Sequence, residues 1–263
     1  MNLEVDGKRA FAYTAAHEID PAKPSVVFVH GAGFDHSLYA LQSRYFAYHG
    51  RNVLALDLPA HGRSVGPPIP TVEAMAEWVA KAMRAAKIEK AVIVGQSMGS
   101  LIALELAARQ PALVDRLALT AVGYPMKVTP VYLEAARKDD YTAFDIYTVW
   151  GHAPQVAVGA NPNPGMWMFG NALARLERLA PGVLYNDLKA VNEYAGGLEA
   201  AAKVKCPVLF ILGGRDSMMP PKTAQALQEK IPGSRTVLIP DAGHTLPAEA
   251  PDAVLDALIA FIS

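Results

Sequence analysis

Ser97 stands between two glycines in Gly95-Gln96-Ser97-Met98-Gly99, directly after the apolar run "AVIV" and before the helix-forming stretch "SLIALELAAR". A tight turn alone would explain the glycines; a nucleophile would explain the serine as well. A sharp strand-to-helix turn strains the serine backbone and pushes Oγ out at the carboxyl end of a sheet. It also leaves no room for Cβ atoms at positions 95 and 99. The helix N-terminus behind it favours developing negative charge.

A serine hydroxyl needs a base, so a histidine must reach the same sheet edge. The chain has seven histidines. His244, in "IPDAGHTLPAEAP", follows the last apolar run and precedes the last helical pattern, which puts it at a strand's carboxyl end. His36 and His61 occupy loops at the right edge but do not follow the final strand. His30 ends a strand and reads as a structural hydrogen-bonding group. His17, His49 and His152 read as surface or packing residues. The base in turn needs a carboxylate to fix its tautomer. Asp216, in "ILGGRDSMMPP", lies just past the preceding strand, whereas Asp241 shares the loop of His244 and reads as a turn residue. An oxyanion hole completes the set. The glycines of "FVHGAGFD" let backbone amides face the serine turn, and the expected donors are the N–H groups of Met98 and Ala32, with Gly33 as the alternative.

These groups require a sheet to hold them. "LEV-DG-KRAFAYTAA" reads as a hairpin turning at Asp6-Gly7. Apolar runs at 25–30, 52–57, 91–95, 116–122, 207–214 and 235–240 have the composition of strands buried on both faces of a parallel sheet. Helical patterns separate most of them, at 71–87 (Val72, Met75, Ala76, Val79 and Met83 on one face), 98–109, 221–230 and 251–262. The alternation predicts a doubly wound, mostly parallel α/β sheet of about eight strands, entered through an antiparallel hairpin. Between 124 and 196 it stops. There the pattern predicts helices near 130–138, 140–150 and 170–194, and an irregular loop over 159–170, "GANPNPGMWMFG". The domain division expected is a core of 1–123 and 197–263 with a helical insertion at 124–196 over one sheet end. The insertion is dense in aromatic and methionine residues. Most should pack its own interior, while Trp150, Trp167 and Met168, with Gly33, are candidates to line a substrate cavity.

With 24 basic and 25 acidic residues, the net charge of −1 gives no clustered basic face for nucleic acid. The single cysteine, Cys206, rules out an internal disulfide and a thiolate metal cluster. No H-x-x-x-H pair suggests a metal, and no cofactor is called for. The N-terminal residues show no secretory pattern, and no apolar run nears the roughly 18 residues that span a bilayer. The expectation is a cytoplasmic protein acting on a small molecule, without membrane or nucleic acid, as a monomer or a homo-oligomer.

The motifs "HGAG" (30–33), "DLPAHGRS" (57–64), "GQSMGS" (95–100), "GGRDSMMP" (213–220) and "DAGHTLPAE" (241–249) together resemble the α/β-hydrolase superfamily over nearly the whole chain. The resemblance implies Ser97 as nucleophile, Asp216 as acid, His244 as base, Ala32 and Met98 as the oxyanion hole, and a helical cap at 124–196. Ser97 departs from the epoxide hydrolases and haloalkane dehalogenases, which carry aspartate there. Thr245 departs from the C–C bond hydrolases, which usually carry an aromatic residue after the histidine.

The leading expectation is a serine hydrolase of carboxylic esters or lactones, acting through an acyl-enzyme on small to medium, fairly apolar substrates. A C–C bond hydrolase or a cofactor-free perhydrolase or lyase would use the same three residues. Two other classes remain: a non-catalytic receptor on this fold, and a dinucleotide-binding oxidoreductase. The latter would use "GAGFDH" and Asp57, though His36 replaces its third glycine.

Overall fold

A computed structural model describes residues 1–159 and 165–262. The hairpin β1 (Asn2–Val5) and β2 (Lys8–Tyr13) turns at Asp6-Gly7, and β2 pairs antiparallel with β4 (Asn52–Leu56). β3 (Ser25–Val29), β4, β5 (Ala91–Gln96), β6 (Val114–Thr120), β7 (Val208–Gly213) and β8 (Arg235–Ile239) run parallel. The described strands form one eight-stranded sheet in the order β1-β2-β4-β3-β5-β6-β7-β8. Every residue of β3, β4, β5 and β7 is buried, as strands covered on both faces must be. β8 lies at the edge and is more open.

The helices cover both faces. α1 (Ala40–Tyr48) has no counterpart in the sequence reading. It buries Gln42 and Ser43, which blurs the apolar stripe, and the Gln42 amide donates to the carbonyls of Pro247 and Pro251. α2 (Val72–Ala85) starts at Thr71, whose hydroxyl accepts the Ala74 N–H, and buries the face foreseen from Val72 to Met83. α3 (Met98–Arg109) follows β5 without a linker beyond Ser97.

Between β6 and β7 lie α4 (Pro130–Arg137), α5 (Thr142–Trp150), α6 (Met168–Leu176), α7 (Val183–Glu193) and α8 (Gly197–Lys203). The helix expected over 170–194 is two helices, because Pro181-Gly182 cannot continue α6. α6 also begins at Met168, inside the stretch expected to be irregular, while residues 160–164 of that loop lie outside the described residues. α9 (Gln225–Lys230), α10 (Leu246–Glu249) and α11 (Pro251–Ile262) complete the chain.

The topology creates one special edge. From β3 the chain steps to β4 on one side, and β5 then lies on the other side of β3. At such a switch point the two following loops diverge and leave a crevice at the carboxyl ends. Residues 30–35 after β3 and Ser97 after β5 border it. The two chains approach so closely that a Cβ on Gly99 would overlap the carbonyl oxygens of Val29 and His30. Those are backbone atoms of a central strand and cannot move aside cheaply. Gly99→Ala is therefore expected to destabilise the fold by about 3 kcal/mol. A urea midpoint equal to that of the parent protein would contradict this packing.

Candidate active site

The Ser97 backbone adopts φ 52° and ψ −117°, a conformation ordinary side chains avoid, and its N–H is tied to the Thr120 carbonyl at 2.9 Å. This strain is local and is held by the strand pairing on either side. It lifts Oγ out of the sheet toward the loop after β8.

There Ser97 Oγ–H donates to His244 Nε2 at 2.9 Å, and His244 Nδ1–H donates to Asp216 Oδ2 at 2.8 Å. The direction follows from chemistry: a carboxylate only accepts, so Nδ1 carries the proton and Nε2 is left to accept. All three residues are buried. Asp216 is oriented by its own loop, since Oδ1 accepts the N–H groups of Met218 and Met219 at 2.9 and 2.7 Å. This local side-chain-to-backbone turn is what an aspartate ahead of "SMMP" readily forms.

Two further residues hold the His244 loop, both inside quoted motifs but given no role by the sequence reading. The buried Gln96 amide donates to the His244 carbonyl at 3.0 Å, tying the serine turn to the histidine loop. Glu249 accepts the N–H groups of Ala153, Gly243 and Thr245 at 2.9 to 3.0 Å. Burial raises its carboxyl despite these three bonds. Glu249 lies within the motif already noted, but only the fold shows that it braces the backbone on both sides of His244.

Ser97 and His244 open onto a cavity of about 130 Å³. Ala32 and Met98 line it as well, and among the described residues no acceptor takes either N–H. Met98 is the first residue of α3, where an N–H has no partner within the helix. The cavity wall is mostly apolar, with Met126, Tyr132, Leu188, Val191, Met218 and Met219 contributing. Met126 also brings its sulfur to 3.9 Å from Ser97 Oγ.

Trp150 lines this cavity while remaining 43% exposed. The other expected lining residues do not. Gly33 gives its N–H to Asp187 Oδ2 at 3.0 Å, so it can serve neither as the alternative oxyanion donor nor as a free substrate contact. Trp167 is 70% exposed on the surface. Met168 is buried in a separate small cluster with Ala153 and Val156. Aromatic and methionine content thus marked the right segment, but helix rotation sent these two side chains elsewhere.

The remaining titratable candidates have other partners. Asp241 is a surface residue 3.7 Å from Arg215. His17 and His49 are exposed. His30 accepts the Leu58 N–H, and His152 is bonded to the Thr148 carbonyl. Burial holds both near a pKa of about 4, so they stay neutral. His36 and Asp57 bind each other at 2.7 Å, and Asp57 also accepts the N–H groups of His36 and Arg63. Asp57 is fully buried, so the acid that a dinucleotide ribose would need cannot be reached.

Comparison with known proteins is consistent with this geometry. The alpha/beta hydrolase family model matches residues 26–257. The pimeloyl-[acyl-carrier protein] methyl ester esterase of Aromatoleum aromaticum is 30% identical over 84% of this chain and 91% of its own. A putative esterase/lipase of Haemophilus influenzae is 25% identical over 91% of this chain and 83% of its own. Among solved structures, the enol-lactonase of Burkholderia xenovorans LB400 superposes with a TM-score of 0.87, at 24% identity, covering 100% of this chain and 99% of that one. That likeness establishes the fold. The chain belongs to the alpha/beta hydrolase family.

Proposed function

We propose that this enzyme hydrolyses carboxylic esters or lactones of small to medium, largely apolar substrates through an acyl-enzyme on Ser97. The observation that carries the reading is the unbroken line of hydrogen bonds from Ser97 Oγ through His244 to Asp216, with its serine end open to a mostly apolar cavity. The esterase activities named for its relatives agree with it.

In this reading His244 Nε2 takes the Ser97 proton as Oγ attacks the acyl carbon. The carbonyl oxygen becomes an oxyanion facing the N–H groups of Ala32 and Met98, each worth about 3 to 4 kcal/mol in the transition state. The C–O bond breaks, and the leaving alkoxide takes the proton held on Nε2. Water then attacks the acyl carbon, giving its proton to Nε2, and His244 returns that proton to Ser97 as the acid departs. Asp216 stays ionised throughout and stabilises the imidazolium.

In this reading residues 124–196 serve as a cap; Met126, Tyr132, Leu188 and Val191, all from this segment, line the cavity. Among the described residues no helix is long and apolar enough to cross a membrane. One free, partly buried thiol, Cys206, suits a reducing compartment such as the cytoplasm.

A p-nitrophenyl ester series tests both the chemistry and the cavity. Butanoyl and hexanoyl esters should exceed the dodecanoyl ester in kcat/KM by about tenfold or more, because the longest chain cannot be enclosed. A fluorophosphonate should label Ser97 and no other residue. No label on folded protein, or a preference for the longest chain, would refute the reading.

A further inference from the structure

Residues 31–34 form a turn in which the Phe34 N–H reaches the Gly31 carbonyl at 3.2 Å, and Gly33 takes φ 69° at its third position. A positive φ there marks the turn variant whose central peptide is flipped relative to the commoner one. The two variants differ by rotation of the 32–33 peptide, a motion that glycine does not resist. Something outside the turn must therefore choose between them.

Asp187 is in position to do so. It comes from α7, more than 150 residues away in sequence, and it is fully buried. Its Oδ2 accepts the Gly33 N–H at 3.0 Å and the His61 Nε2–H at 2.8 Å, so two donors from two core loops converge on one oxygen. The other nitrogen of His61 faces the Pro59 carbonyl at 3.0 Å, which can only accept. Both ring nitrogens therefore carry protons, and His61 is an imidazolium buried beside its counter-charge. The Asp187 carboxylate indeed raises the His61 pKa, against the effect of burial. If the 32–33 peptide turned over, the Ala32 carbonyl would meet this carboxylate in place of the Gly33 N–H.

We propose that Asp187 is a positioning residue for the oxyanion hole: carried in by α7, its carboxylate anchors the Gly33 N–H, keeps the Ala32 carbonyl turned away from itself, and so fixes the place of the loop whose Ala32 N–H lines the cavity. The inference rests on the ester-hydrolase reading given above. It makes α7 a joint determinant of pocket shape, through Leu188 and Val191, and of transition-state stabilisation, through Asp187.

Two double variants isolate the contact with Gly33. His61→Leu/Asp187→Asn and His61→Leu/Asp187→Ala both remove the buried charge pair, but only the first leaves a side-chain oxygen to accept the Gly33 N–H. Assayed on one short-chain p-nitrophenyl ester and normalised by fluorophosphonate titration, the asparagine form should exceed the alanine form at least about tenfold in kcat. Their KM values should agree within about threefold, since an oxyanion contact acts in the transition state. Equal kcat values, or a difference confined to KM, would overturn the positioning role. In the wild type, where no variant need fold, the Gly33 amide should exchange with deuterium as slowly as the amides of β3; exchange at the rate of the exposed Asp6-Gly7 turn would overturn it as well. Fluorophosphonate labelling of wild-type Ser97 reads the esterase assignment separately. A labelled, active wild type with indistinguishable double variants would reject this inference and leave that assignment standing.

Discussion

Replacing Ser97 by alanine should lower kcat by about 10⁴- to 10⁶-fold while leaving the protein folded. Oγ is the only atom removed. It makes no bond that holds the fold, since its partners are His244 Nε2 and, at 3.9 Å, the Met126 sulfur. The strained backbone at 97 is fixed by the Thr120 carbonyl and by the packing of Gly99, not by the hydroxyl. Alanine should therefore occupy the turn as serine does, and thermal stability should stay level or rise slightly, as when a functional polar group is removed from an active site. Residual turnover would come from the amides of Ala32 and Met98 and from substrate binding alone. Steady-state assay and a melting curve on the same preparation check both halves. A variant retaining a tenth of the parent activity would mean that Ser97 is not the nucleophile.

Asp216→Asn is expected to cost about 10⁴-fold in kcat, by a different route. The asparagine oxygen should take the place of Oδ1, because the Met218 and Met219 N–H groups both need an acceptor there. The amide nitrogen then faces His244 Nδ1. That nitrogen must become the acceptor, and the ring proton moves to Nε2, where it points at Ser97 Oγ. The histidine is unchanged in position but has the wrong tautomer to act as a base. Stability should be nearly unaffected, and the rate of fluorophosphonate labelling should drop along with kcat. If labelling proceeds at the parent rate, Asp216 does not set the tautomer and its proposed role is lost.

The elements of the core were legible because their signals are local. "SVVFV" and "VLFILG" are long enough runs of apolar residues to announce strands buried on both faces, and Asp6-Gly7 announces its turn. The boundary at Pro181-Gly182 was also available in the sequence, although the apolar pattern on either side reads as one helix. α1 was hidden for a physical reason: Gln42 satisfies carbonyls at 247 and 251, so a polar residue occupies a core-facing position.

The site divides in the same way. By itself the sequence determined which groups could do chemistry and at which sheet edge, because a strand's carboxyl end is a local fact. Ser97, Asp216 and His244 each follow a recognisable strand, and the glycines around Ser97 reflect steric limits within a few residues. Only the tertiary structure decided how side chains from distant segments meet. It turned Trp167 to solvent and Met168 into another cluster, drew Glu249 against the backbone around His244, and brought Asp187 from α7 onto the Gly33 amide. Those outcomes depend on how the helices between β6 and β7 rotate and seat against the sheet. That arrangement is fixed by packing over the whole insertion, and no short window of residues encodes it.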